Sequence, residues 1–322
     1  MEITRGEVVK NVHKLTEGAI LIAALTVLLL ITIYVPIIGS FLNVVLPAPF
    51  IIFAAKNNIK NITAFFLAAI VISFIAGSLP GLGLMLLYAP AGVFIGYMLQ
   101  KNKSRNAILI SSSLILMAGI VIYYVVITAF IKFDIIHELH TALNQSLKDT
   151  QEMLKAMGNE EKIKDLKKQN ANLLKMIEIY APSYLILGSV LMSFVIQWVC
   201  FPIVKRFGIN VQPWGKFRNL SLPKSLLWYY LIALVAMLLL RPQEGTYLLS
   251  VLLNARYILE FFLIFQGLSF LFYFFHQRSV AKGLGIFVAI LSFTIPLVHT
   301  IIMLVGITDL GFDFRKQFAK KE

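Results

Sequence analysis

The sequence predicts an all-α polytopic membrane protein, with a transmembrane bundle of eight or nine helices and a protruding polar αα-hairpin. Of its 322 residues, 59% are hydrophobic and 14% are charged, and the mean hydropathy is +0.82. Soluble globular domains are about 45–50% apolar and about 25% charged, so the bilayer is the expected solvent. One polar stretch, Ile131 to Pro182, separates five apolar runs from four later ones.

This polar stretch predicts the hairpin. Mostly apolar residues recur in it at spacings of three and four, which is a helical period. Gly158-Asn159 interrupts the pattern with two residues that tolerate positive φ, as a sharp reversal requires. Each arm of about 23 residues would project roughly 35 Å from the bilayer. The periodic residues are Ile136, Leu139, Leu143, Leu147, Leu154, Met157, Ile163, Leu166, Leu173 and Ile177.

The hairpin divides the chain into three predicted parts: a membrane part at 1–131, the polar hairpin at 132–181, and a second membrane part with a basic tail at 182–322. Helix 2 contains two prolines and is short, so we expect it to extend back through Ile37 to Gly39 or to span only partly. The predicted membrane helices are Gly18 to Ile38, Phe41 to Ala55, Ile62 to Gly77, Gly83 to Leu99, Ala107 to Ile131, Tyr184 to Val204, Ser225 to Leu240, one within Thr246 to His276, and Leu284 to Val305.

The helix within Thr246 to His276 is the least defined. This run is too long for one perpendicular span and too short for two, so we expect it to begin as an interfacial or re-entrant piece. The turn between predicted helices 3 and 4 is the sequence SLPGLG.

The basic residues indicate orientation. The net charge is +13, but the lysines and arginines lie in short clusters between apolar runs, as the positive-inside rule requires, and no basic stripe on a soluble domain points to nucleic acid. A cytoplasmic amino terminus places most of the short basic loops inside and the hairpin outside. A nine-helix count also puts the basic tail outside, so one of the last three segments is expected not to span.

No catalytic, metal or cofactor site is expected. The motifs of intramembrane metalloproteases and serine proteases are absent from the sequence. His137 and His140 are three residues apart in the polar hairpin, which favours a solvated face over a metal ligand pair. Cys200 is the single cysteine, which excludes an internal disulfide framework. We therefore expect a protein that is not an enzyme.

Intramembrane polar residues are the best candidate site. Arg256 and Glu260 are four residues apart and can pair along one helix face; Gln266 follows on the same segment, and His299 follows Pro296 in the next helix. Charges at membrane depth usually face a partner or a water-filled cavity. In the alternative interpretation the membrane-spanning part starts near Tyr257, Arg256 reaches the interface, and Glu260 only neutralises it.

Two pairs of small residues indicate helix contacts. Gly92 and Gly96 form a small-xxx-small face in predicted helix 4, which allows a neighbouring helix to approach closely. Ala19 and Ala23 have the same spacing in predicted helix 1.

Several segments carry a family resemblance. The run IIGSFLNVVLPAPFIIFAAKNN, the inserted hairpin, the segment FQGLSFLFYF and the ending GITDLGFDFRKQ resemble the YybS-like family of bacterial multi-pass membrane proteins, whose function is unknown. More distantly, the first six predicted helices are similar to the S components of energy-coupling-factor transporters and to MreD. That similarity implies that Ala19 and Ala23 contact a partner helix. The long hairpin and the additional helices depart from the S-component pattern.

Two functions remain open from the sequence. The first is a small-solute-binding or transport-related membrane subunit that resembles an S component. The second is a non-transporting envelope, division or sporulation scaffold that docks a membrane or envelope protein through the hairpin. The oligomeric state is not predicted.

Overall fold

A computed structural model describes residues 5–132, 134–157, 159 and 161–315 of the chain. Within these residues the secondary structure is helical throughout, which confirms the predicted all-α class. Short 3-10 turns at 43–45 and 217–219 and a π-turn at 127–131 complete the assignment. The α-helices are α1 (Arg5–Tyr34), α2 (Pro36–Leu42), α3 (Pro47–Lys56), α4 (Ile59–Gln100), α5 (Arg105–Val126), α6 (Ile135–Ala156), α7 (Glu161–Arg206), α8 (Ser225–Leu240), α9 (Tyr247–Gln277), α10 (Lys282–Thr294) and α11 (Pro296–Phe312).

Six helices in the described part of the chain are long and apolar enough to cross a membrane, or seven if the bent pair of α10 and α11 is one span. The predicted count of eight or nine is therefore not confirmed. One reason is that α8 has 16 residues, fewer than the roughly 20 that span a hydrocarbon core. In addition, the count of six takes Ile59–Gln100 as one helix, although α4 contains both predicted helices 3 and 4.

A kink at Ser78 interrupts α4, where φ is 50° and ψ is −145°. A Cβ atom placed on Gly81 would collide with the carbonyl oxygen of Ser73. Residues eight apart in a straight helix are separated by about 12 Å along the axis, so the chain reverses sharply here. The reversal lies at the predicted SLPGLG turn, and it gives segments 59–77 and 79–100 that are each about 30 Å long.

Prolines set the helix starts around predicted helix 2. Pro36 and Pro47 occupy the first turns of α2 and α3, where the missing N–H costs no hydrogen bond. The apolar span runs from Ile37 to Lys56, so helix 2 extends back through Ile37 as expected. Pro49 is buried with the rest of α3.

Two expectations for the carboxy-terminal helices are wrong. The run from Thr246 to His276 does not begin as a separate piece, because α9 is one continuous helix of 31 residues that Thr246 caps. Predicted helix 9 is instead two helices, α10 and α11, which are bent by 113°. The break falls at Ile295 because the following Pro296 has no N–H to continue the hydrogen-bond ladder.

The polar stretch forms two helices, as predicted. These are α6 and the amino-terminal part of α7, with Gly158 and Glu160 of the intervening turn outside the described residues. Leu143 and Leu147 of the apolar seam are half-buried, and Met157 is exposed. That the two arms pack as a hairpin, and that they serve as a scaffold, stay predictions.

Contacts divide the chain into two compact units. The first unit contains residues 1–167 and 185–213, and the second contains residues 168–184 and 214–322. Helix α7 contributes to both units, and the three-part division stays a prediction. The core of the first unit is one apolar cluster that draws residues from α1, α3, α4, α5 and α7, among them Phe50, Met85 and Phe201. The second unit has smaller apolar clusters around Leu263 and Ile264.

Candidate functional site

Helix α9 of the second unit carries the predicted ionic pair. Arg256 Nε donates a hydrogen bond to Glu260 Oε1 at 2.7 Å, as the spacing of four residues predicts. The side chain of Glu260 is 17% exposed and that of Arg256 is 42% exposed. Because α9 begins at Tyr247, Glu260 lies about 20 Å along the helix. The alternative, in which the membrane-spanning part of this helix starts near Tyr257 and Arg256 reaches the interface, stays open.

A tyrosine from the neighbouring helix forms a hydrogen bond with the glutamate of this pair. Tyr230 of α8 is buried, and its hydroxyl donates to the same Glu260 oxygen at 3.1 Å. The hydroxyl also lies 3.7 Å from the sulfur of Met303 in α11. One carboxylate oxygen thus receives hydrogen bonds from α8 and α9, which fixes its position within the second unit.

The break between α10 and α11 presents further polar groups. His299 Nδ1 donates to the carbonyl oxygen of Ser292 at 3.2 Å. The Ser292 hydroxyl donates to the Ala289 carbonyl at 2.7 Å. Pro296 has no N–H to donate to the Ser292 carbonyl four residues before it, so the His299 ring supplies the donor to that carbonyl, and α11 opens with the His299 backbone N–H bonded to the Ile295 carbonyl at 3.0 Å.

Contacts with α9 show that α10 and α11 form a hairpin. Gly285, near the start of α10, lies against the ring of Phe272. Beyond the end of α11, the carbonyl of Arg315 accepts from the Tyr273 hydroxyl at 3.4 Å. Both ends of the helix pair therefore lie beside the carboxy-terminal end of α9. The bend lies farther along, where Phe293 contacts Phe265.

The ionic pair and the helix break line one cleft of about 640 Å³. This volume is within the range of small-molecule sites, which are about 300–1,000 Å³. Three of the four residues proposed from the sequence, Arg256, Glu260 and His299, meet here. Tyr230 and the residues at the break were missed, because nothing in an apolar run shows which of its residues will face a cleft. The lining comprises Tyr230, Leu234, Arg256, Glu260, Ser292, Phe293, Thr294, Ile295, Pro296, His299, Thr300 and Met303.

Gln266, the fourth proposed residue, belongs to a separate buried network. Its Nε2 donates to Asp309 Oδ2 at 2.6 Å, and its Oε1 accepts from the backbone N–H of Leu222 at 2.9 Å. Asp309 is 3% exposed and also accepts from Arg315 Nε at 3.0 Å. Arg315 in turn donates to the Ser269 hydroxyl at 3.1 Å. We call Gln266, Ser269, Asp309 and Arg315 the Asp309 network.

The Asp309 network holds the loop before α8 against α9. The Ser269 hydroxyl oxygen lies 2.8 Å from the carbonyl oxygens of both Phe217 and Leu220, and its single proton is shared between these two acceptors. Every group in the network has a partner, so its role is structural. Sequence reasoning missed it because Asp309 and Arg315 are six residues apart, a spacing that does not place them on one face of a straight helix.

The small-residue pairs lie in the first unit. A Cβ on Gly92 or Gly96 would lie 2.8 Å from Phe50 Cβ or 2.7 Å from Ala54 Cβ, so both glycines face α3 in close contact. Ala19 and Ala23 are exposed on α1. A contact with a partner helix there stays a prediction.

Comparison with known proteins identifies the family. The family model described as "Predicted membrane protein (DUF2232)" matches residues 23–310. The chain is 32% identical over 308 residues to the "Uncharacterized protein YybS" of Bacillus subtilis (strain 168), covering 96% of this chain and 99% of the relative. No solved structure matches. The resemblance to the YybS-like family is confirmed, whereas similarity to S components or MreD is not shown. The chain belongs to the DUF2232 family of multi-pass membrane proteins.

Proposed function

We propose that the second unit binds a small charged solute in the cleft, as a non-enzymatic, transport-related subunit of the bacterial cell membrane. One observation carries this proposal: the break between α10 and α11 lines the same cleft as the Arg256–Glu260 pair. Transporters often bind substrates and ions at discontinuous helices near the bilayer midplane, where the half-helix ends contribute partial charges.

The position of the charges supports binding rather than simple anchoring. A charge at the bilayer centre costs about 2.5–3.5 kcal/mol on insertion scales. Arg256 and Glu260 offset each other, yet Arg256 keeps 42% of its side chain exposed and lines the cleft.

Small charged solutes added to the purified protein in detergent test the proposal. Solutes that raise the thermal unfolding midpoint of the wild type should lose that effect in Glu260→Gln, because the substitution removes one charge of the site while keeping its shape. Arg256→Lys should keep part of the effect, because the charge remains without the planar guanidinium.

The matched control is Glu244→Gln. Glu244 also forms an ion pair in the second unit, with Lys175 at 2.7 Å, but it does not line the cleft. Solute responses that are equal in the wild type, Glu260→Gln and Glu244→Gln would refute the cleft as the binding site.

The orientation that fits this proposal has the amino terminus and the tail in the cytoplasm and the α6 region outside. The hairpin of α10 and α11 returns to the end of α9 from which it starts, which places Arg315 beside Tyr273 near that end. A tail on the same side as the basic loop Arg278 to Lys282 would satisfy the positive-inside rule. In intact cells, an impermeant thiol reagent should label Met157→Cys and spare Asn102→Cys. Cys200 is fully buried, so background labelling should be low, and labelling of Asn102→Cys alone would invert the orientation.

A further inference from the structure

A second, wholly apolar groove adjoins the cleft. It has a volume of about 320 Å³ and lies along α8, with Ile307 of α11 on its other side. Tyr230 and Leu234 line both the groove and the cleft, so the two spaces are neighbours. The groove is lined by Leu227, Trp228, Tyr230, Leu231, Leu234 and Ile307.

The cleft next to the groove contains one positive and one negative side chain. Arg256 supplies a positive charge and Glu260 a negative one, at 2.7 Å from each other. A purely anionic ligand would be attracted by Arg256 and repelled by Glu260, and a simple cation would meet the reverse. A ligand with both a phosphate and an ammonium group would pair with both residues.

The helix break adds complementary partial charges. The first turn of α11 is the positive end of that helix dipole, which favours a phosphate, and Pro296 and His299 of that turn line the cleft. The last turn of α10 is the negative end of its dipole, which favours an ammonium group, and Phe293 and Thr294 of that turn line the cleft. The two helix ends at the break therefore add a positive and a negative partial charge to those of Arg256 and Glu260.

We propose that the ligand of the cleft is a zwitterionic phospholipid, with its head group between Arg256 and Glu260 and an acyl chain in the groove along α8. This inference rests on the proposed function and specifies its ligand. A chain in the groove stays in apolar surroundings as it does in the bilayer, so selectivity comes from the head group. A free solute would use the cleft alone, because the apolar groove offers it no polar partner.

Lipid binding to the purified, delipidated protein in detergent tests this assignment. Three probes are compared by thermal unfolding: dioleoyl phosphatidylethanolamine, dioleoyl phosphatidylglycerol, and phosphoethanolamine, the head group without chains. We expect the zwitterionic lipid to bind at least about tenfold more tightly than either other probe, equivalent to about 1.4 kcal/mol or more. Glu260→Gln should remove the preference for phosphatidylethanolamine over phosphatidylglycerol.

Blocking the groove separates the chain from the head group. Leu231→Trp adds bulk to the groove at a residue that is 46% exposed, and Leu239→Trp adds the same bulk to α8 at a residue that is 73% exposed and does not line the groove. Leu231→Trp should weaken phosphatidylethanolamine binding about tenfold and leave phosphoethanolamine binding unchanged. Leu239→Trp should change neither.

The outcomes distinguish the two proposals. If phosphoethanolamine binds as tightly as the lipid, depends on Glu260 and ignores Leu231→Trp, the site takes a soluble solute and the lipid assignment is overturned. If phosphatidylglycerol binds as tightly as phosphatidylethanolamine in a manner independent of Glu260, the lipid assignment is also overturned. If no probe depends on Glu260, the lipid assignment is overturned, and the solute screen with the same variant decides the proposed function separately.

Discussion

The two units differ in the kind of polar side chain that lies inside them. In the first unit, Ser112 and Ser193 share a hydrogen bond of 2.5 Å, and Gln197 Nε2 lies 3.3 to 3.4 Å from both hydroxyls. These groups are neutral and can also bond to nearby helix carbonyls, so they cost little in the membrane. In the second unit, Asp309 is the one buried acidic or basic side chain of the described residues, and the Arg256–Glu260 pair borders a cleft.

This difference indicates that a binding site is to be expected in the second unit. A continuous apolar core with neutral polar pairs gives the first unit a rigid membrane part, and its Lys56–Glu17 ion pair at 2.9 Å lines neither the cleft nor the groove. The second unit contains the Arg256–Glu260 and Asp309–Arg315 ion pairs, a broken helix and a cleft. Each of these features lowers the stability of the fold unless other contacts or a bound ligand offset its cost. The buried charge of Asp309 is neutralised by Arg315 within the Asp309 network. The side chain of Arg256 is partly exposed in the cleft and can therefore contact a ligand.

The largest expected effect comes from breaking the buried ion pair of the second unit. Arg315→Ala removes the cation that pairs with buried Asp309 and should destabilise the second unit by about 3–5 kcal/mol, the usual cost of an uncompensated buried charge. Thermal unfolding and size-exclusion chromatography in detergent would measure the loss. The double variant Asp309→Asn/Arg315→Leu keeps the acceptor for Gln266 without the charge and should recover most of it. A double variant as unstable as Arg315→Ala would show that Arg315 acts through packing alone.

A smaller effect tests close helix packing. A Cβ on Gly306 would collide with the carbonyl oxygen of Leu263, where α11 crosses α9, so Gly306→Ala should destabilise the second unit by about 1–3 kcal/mol through overpacking. Gly188→Ala in the first unit is the matched control, since nothing lies within 4 Å of that position, and it should be neutral or slightly stabilising. Equal unfolding midpoints for the two variants would argue against the close crossing.

The smallest effect concerns an exposed pair of the second unit. The hydrogen bond from Lys175, and then its positive charge, lower the pKa of Glu244 below its ordinary value. The contribution of this pair is therefore present at neutral pH and lost as the pH falls through the lowered pKa. Because the pair is exposed and screened by solvent, Glu244→Gln should leave the unfolding midpoint unchanged at pH 7. A clear fall in the midpoint would show that the pair is held more rigidly than its exposure indicates.

Local sequence signals predicted the features that depend on nearby residues. Hydropathy gave the membrane class, the SLPGLG motif gave the reversal in α4, and the spacing of Arg256 and Glu260 gave their ion pair. In each case the responsible atoms are within a few residues of each other along the chain. Predicted helix 9 failed for a related reason, because a hydropathy average across Pro296 does not register the missing N–H that breaks the helix.

The sequence by itself determined that the chain is a multi-pass helical membrane protein, because the bilayer requires long apolar segments with internally satisfied backbones. Only the tertiary structure decided which polar residues meet. It directs Gln266 to Asp309 and away from the cleft, brings Tyr230 of α8 to Glu260 of α9, and allows α9 and α11 to cross at Gly267 and Gly306. The physical reason is that these contacts join residues 30 to 43 positions apart, and their geometry depends on how whole helices cross.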